Sequence, residues 1–159
     1  MHHMDPNASW NHVDCWAGIG VILRDSHCNF IASKAIPSTA SSTLEAKTQV
    51  VLKGCKLAHD LDCTSVIIES DSRGVIQCLN GSIAKGAWAI YPILNRIREQ
   101  QTLFHSCRWS WTLQVANEVV DLVALLAMVR MSNEVWVHRP PSLLTHVLNN
   151  DGRPCPPFV

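Results

Sequence analysis

The chain has 159 residues, 47% hydrophobic and 16% charged, with 13 Lys plus Arg against 13 Asp plus Glu. That length supports one domain with a real core, and the composition excludes a disordered polyelectrolyte. The charge balance argues against strong non-specific polyanion binding through net charge but leaves room for a local basic patch. No apolar run reaches the length of a membrane span, so no membrane partner is expected. The start, Met1-His2-His3-Met4-Asp5-Pro6, lacks the basic and apolar segments of a secretory signal. Seven cysteines without a C-x-x-C pair fit reduced thiols, and the expected setting is intracellular, nuclear or cytoplasmic.

In chain order, residues 1–10 read as a weak strand. Pro6 cannot donate to a ladder and belongs at a sheet edge or strand end. Residues 17–24 and 29–36 read as a hairpin around Asp25-Ser26-His27-Cys28-Asn29. Thr43 to His59 is helical, with Leu44, Val51, Cys55 and Ala58 as its apolar stripe and Ser41 or Ser42 as its cap. Thr64 to Ser70 shows little alternation, as a strand covered on both faces does. A short helix over 72–79 ends at Asn80-Gly81. Residues 87–101 are helical, Phe104 to Leu113 is a strand, and Ala116 to Met131 is the last helix, with Val120, Val123, Ala124 and Ala127 on one stripe. This order implies an α/β domain over residues 1–135, a mixed sheet flanked by helices, followed by a proline-rich tail over 136–159.

Three acids stand at the boundaries of these elements. Glu45 lies in the first turn of the long helix, Asp71 ends the strand Val66-Ile67-Ile68-Glu69-Ser70, and Asp121 follows Asn117 by one helical turn. Acids converging from separate elements make an oxygen-rich site for hard divalent cations, and a pair of such ions cleaves phosphodiesters. Each acid also has a plainer explanation. Glu45 compensates the helix dipole, and Asp71 caps the helix that follows it. Asp121 in an apolar helix is harder to dismiss, because an unpaired buried acid is costly.

Several segments together carry a resemblance. Ala17-Gly18-Ile19-Gly20-Val21-Ile22-Leu23-Arg24-Asp25, Glu45-Ala46, Ile68-Glu69-Ser70-Asp71-Ser72, Pro92-Ile93-Leu94-Asn95-Arg96-Ile97-Arg98, Ala116-Asn117-Glu118-Val119-Val120-Asp121 and Asp151-Gly152-Arg153-Pro154-Cys155-Pro156-Pro157 occur in the family order. On these, the chain resembles the ribonuclease H-like domains common in plant genomes and often derived from non-LTR retrotransposons.

The resemblance implies a ribonuclease H-like fold with a five-stranded mixed sheet, a monomeric hydrolase, and endonucleolytic cleavage of RNA in RNA–DNA hybrids by two Mg2+ (or Mn2+) ions. Glu45, Asp71 and Asp121 match three of its metal-binding acids. The fourth does not match: the family reads Asp-x-Ser-Trp where this chain has Asn7-Ala8-Ser9-Trp10. Asn7 therefore stands at a catalytic position, and Asp5, two residues earlier on the same strand face, is the alternative ligand. A neutral Asn cannot bridge two cations as a carboxylate does, so cleavage is expected to be reduced. The histidine that hybrid-cleaving relatives often carry before the last acid is replaced by Leu113-Gln114-Val115. Ser9, Asn11, Gly18, Gly20, Ser72 and Asn117 are candidates for the hybrid groove, where a 2′-hydroxyl marks the RNA strand. Lys85, Arg96 and Arg98 are candidates for phosphate contacts, although basic residues near one helix often form only a solvated face. The alternative to a hydrolase is a catalytically inactive nucleic-acid-binding domain that kept the fold of a retroelement nuclease.

Overall fold

A computed structural model describes residues 1–81, 87–113, 118–140 and 142. Six strands form one sheet: β1 (His2–Trp10), β2 (Trp16–Arg24), β3 (Phe30–Thr39), β4 (Ser65–Ser70), β5 (Ser106–Trp111) and β6 (Glu134–Val137). Their order across the sheet is β5-β4-β1-β2-β3-β6. β1, β2, β3 and β6 pair antiparallel in succession, while β1–β4 and β4–β5 are parallel. The helices are α1 (Thr43–Asp60), α2 (Arg73–Leu79), α3 (Tyr91–Gln101) and α4 (Glu118–Arg130), with a 3-10 turn at Ala87–Ile90 before α3.

The mixed sheet flanked by helices agrees with the sequence reading, with two differences. A sixth strand, β6, adds to the β3 edge, so the boundary expected after residue 135 falls inside a strand. The first strand is also central and nine residues long rather than weak. It carries Pro6 in its middle, level with Val21. The parallel ladder to β4 covers His2 to Met4 and ends before the proline, as a residue with no N–H to donate requires.

Two apolar layers enclose the sheet. On one side Met4, Ile19, Val21, Leu23 and Ile68 pack with Val50, Val51, Cys55, Leu94 and Ile97 of α1 and α3. On the other, Ile22 and Ala35 pack with Val120, Val123 and Ala127 of α4. Alternation along a strand therefore turns Asp5 and Asn7, partners of Ile22 and Gly20, toward α4. Gly20 sets how closely that helix approaches. A Cβ there would lie 2.5 Å from the Ala124 nitrogen and 2.7 Å from the Val120 oxygen, both backbone atoms.

Cys15, Cys55, Cys63, Cys78 and Cys107 are free. Burial pushes the Cys55 thiol out of the titrating range and raises Cys107 to about 11, so these two behave as apolar core groups. Among the described residues, no helix is long and apolar enough to cross a membrane.

Candidate active site

The segments that carry the acids come to one end of the sheet because of the strand directions. β1, β3 and β4 run the same way, so their C-terminal ends lie together. Trp10, the last residue of β1, donates its indole N–H to the Ala40 carbonyl at 2.8 Å, tying that end to the turn that opens α1. Continuing the parallel register of β1 and β4 sets Asn7 level with Asp71. Asn7 donates from Nδ2 to Asp121 Oδ1, which brings in α4.

Glu45 is held by its own turn. Ser42 is the N-cap, and its Oγ accepts from the Glu45 N–H at 3.1 Å. Glu45 Oε2 accepts from the Ser41 N–H at 2.7 Å and from the Ser41 hydroxyl. This is a capping-box arrangement shifted back by one residue. The Ser41 hydroxyl, then its backbone N–H, hold the Glu45 carboxyl below its ordinary value against the opposing effect of burial.

Asp71 has a different partner. Its side chain is 4% exposed, and its Oδ1 accepts from Lys47 Nζ at 3.0 Å. Lys47 sits two residues after Glu45 on α1, and the sequence reading missed it. No local signal marks it, because lysine is an ordinary helix former and its partner here lies 24 residues away. Trp111 also lies beside Asp71, donating its indole N–H to the Asp71 carbonyl at 3.2 Å, with the Arg73 guanidinium 4.2 Å from its ring centroid.

Asp5 is paired with Arg24. It is buried two residues behind Asn7, its carboxylate 4.0 Å from the Arg24 guanidinium nitrogen. The side chain that reaches Asp121 is that of Asn7.

Whether this set fits a divalent ion turns on Asn7. Its Oδ1 accepts from the Ala8 N–H at 2.9 Å, and its NH2 faces Asp121. Both bonds fix the same amide orientation, in which Asn7 presents donors to the neighbouring carboxylate. A cation needs oxygen acceptors at that point. Lys47 places a second positive group on Asp71. Among the described residues, no group of three or more His, Cys, Asp or Glu side chains could hold a metal ion. The site as built does not fit a two-metal centre.

The groove candidates divide. Ser9 and Asn11 are half-buried where the β1–β2 connection begins, and Asn11 Oδ1 accepts from the Val13 N–H at 2.9 Å. Gly18 is buried opposite Ser9. Gly20 lies under α4 and is occupied by helix packing. Ser72 caps α2, its Oγ accepting from the Val75 N–H at 3.4 Å. Arg98 donates to the Cys78 carbonyl at 3.4 Å and Arg96 is exposed. Asn117 and Lys85 lie outside the described residues.

Comparison with known proteins agrees with this architecture. The structure is similar to ribonuclease H1 of the archaeon Halobacterium salinarum, at 18% identity and a TM-score of 0.76, covering 81% of this chain and 98% of that one. It is similar to the N-terminal RNase H domain of Rv2228c from Mycobacterium tuberculosis, at 17% identity and 0.74, covering 81% and 94%. It is also similar to LC11-RNase H1, isolated from compost by a metagenomic approach and solved with an RNA/DNA hybrid, at 13% identity and 0.70, covering 77% and 93%. At these identities, the TM-scores show a shared ribonuclease H fold and the fold alone. A search of curated proteins finds no match. The family described as reverse transcriptase-like matches residues 5–127, most of the chain, and the protein belongs to that family.

Proposed function

We propose that this domain binds RNA–DNA hybrid at the end of the sheet that carries Asn7, Asp71 and Asp121, and that two-metal hydrolysis of the hybrid is lost. The fold, the family and the hybrid bound by the similar LC11-RNase H1 support the choice of ligand. The observation that carries the loss of hydrolysis is the Asn7 amide, whose NH2 faces Asp121.

The chemistry left to the chain is recognition. The half-buried Ser9 at the end of β1 offers a hydroxyl to a 2′-hydroxyl, which distinguishes a hybrid from duplex DNA. Asn11 and Ser72 are further polar candidates, and Lys47 adds a cation for phosphate. Two Mg2+ ions, held by four carboxylates, are what a hydrolase of this fold would use to activate water and stabilise the leaving oxygen. Here three carboxylates, an amide and an ammonium stand in that region, two negative charges short of four carboxylates.

A second reading is a slow RNA–DNA hybrid endoribonuclease. The observation in its favour is that Glu45, Asp71 and Asp121 all lie at the same end of the sheet. Hybrid binding and hybrid cleavage, measured on the same preparation with Mg2+ and with Mn2+, decide between the two. Binding without cleavage supports recognition, and cleavage that disappears in Asp71→Asn supports the nuclease.

A further inference from the structure

Lys47 forms a half-buried ion pair with Asp71, the side chains being 19% and 4% exposed. Lys47 lies beyond the first turn of α1, so the helix dipole does not account for its place. Its stem instead spans from α1 to the end of β4, where its ammonium lies 3.0 Å from Asp71 Oδ1. An ammonium has three N–H donors and no acceptor, and the bond to Asp71 uses one of them. A divalent ion approaching that carboxylate would meet a like charge within a few ångströms. Asn7 on Asp121 and Ser41 on Glu45 engage the other two acids in the same way.

We propose that Lys47 is a built-in cation that takes the place of a metal ion at Asp71, so that the site meets a nucleic-acid phosphate with its own ammonium and needs no divalent ion to do so. The phosphate contact rests on the hybrid-binding reading, whereas the exclusion of metal from Asp71 does not. The ammonium compensates the buried carboxylate when no ligand is present, and two of its N–H donors remain for an anion. The role is electrostatic and positional, with no bond made or broken.

The test has two arms on the full chain. In the first, Mn2+ binding to the protein alone is followed by electron paramagnetic resonance. Lys47→Met, with Lys47→Gln as a second neutral variant, should bind Mn2+ about ten-fold or more tightly than the parent, because a like charge has gone. Lys47→Arg, which keeps the charge, should resemble the parent. Parent binding as tight as that of the neutral variants overturns the proposal. In the second, hybrid binding is measured by fluorescence anisotropy in EDTA. The parent should bind equally with and without Mg2+, while the neutral variants lose about ten-fold in EDTA as one phosphate contact disappears. Parent binding abolished by EDTA also overturns the proposal. A parent that binds hybrid in neither condition sinks the hybrid reading instead, and the Mn2+ arm still judges Lys47.

Discussion

Asn7 donates its side-chain amide to the carboxylate of Asp121, 114 residues further along the chain. That bond joins a central strand to the last described helix at the point where the family's pattern calls for two acids. Its partner bond, from the Ala8 N–H to Asn7 Oδ1 at 2.9 Å, favours the same amide orientation. Residue 7 therefore links β1 to α4.

Asn7→Asp replaces that attraction with two facing carboxylates. In EDTA the variant should lose about 1–3 kcal/mol, the cost of a lost buried hydrogen bond plus repulsion. Mn2+ should recover part of the loss, because the pair then offers acceptor oxygens to a cation. Thermal melting in EDTA and in Mn2+ measures both effects. A variant as stable as the parent in EDTA would show that the Asn7–Asp121 bond carries no weight.

Gly20→Ala puts a methyl group against the backbone of α4, 2.5 Å from the Ala124 nitrogen. Backbone cannot swing aside as a side chain can, so the helix must move. The expected cost is about 1–3 kcal/mol in urea unfolding, together with weaker hybrid binding as Asp121 shifts from Asn7. An unchanged unfolding midpoint would contradict the close packing.

The Glu45 carboxyl titrates below its ordinary value of 4.5, chiefly through the Ser41 hydroxyl and then its N–H. A depressed folded-state value stabilises the protein above the unfolded pKa, and that contribution is lost as pH falls through the folded pKa. Ser41→Ala should therefore raise the Glu45 pKa toward 4.5 and flatten the acid limb of the stability profile. A carboxyl-carbon NMR titration reads the shift directly. No change would mean that the hydroxyl bond does not persist in solution.

Asp5 and Arg24 form a buried pair, 3% and 8% exposed, behind the site. Asp5→Asn removes a buried negative charge from beside the guanidinium and should destabilise by about 3 kcal/mol. The folded variant should bind hybrid as the parent does, because Asn7 keeps its bond to Asp121. A specific loss of hybrid affinity in that variant would return Asp5 to the site.

Much of this was legible in the sequence because the signals were local. The cap at Ser42, the turn after Leu79 and the periodicity of Leu44, Val51 and Cys55 each depend on neighbours within a turn or two, and the helices appear where those signals place them. The centrality of β1 was not legible. Pro6 argues for an edge by itself, and only the early end of the β4 ladder removes the conflict. β6 was hidden for a related reason: four residues with a half-buried pattern become a strand only when the β3 edge offers partners. Glu45, Asp71 and Asp121 could be named from their places at element boundaries, but what each one touches could not. Lys47 shows this most clearly, since its partner is 24 residues away and on a different element. Gly20 shows the converse: the same residue suits a groove or a helix contact, and only the position of α4 distinguishes them.

The most direct test of the central claim is a paired measurement on the unaltered chain: affinity for an RNA–DNA hybrid, and single-turnover cleavage of that hybrid in saturating Mg2+. The account predicts binding that discriminates hybrid from duplex DNA, with the RNA strand left intact. Cleavage of the RNA strand, abolished by Asp71→Asn and present with Asn7 unchanged, would contradict it.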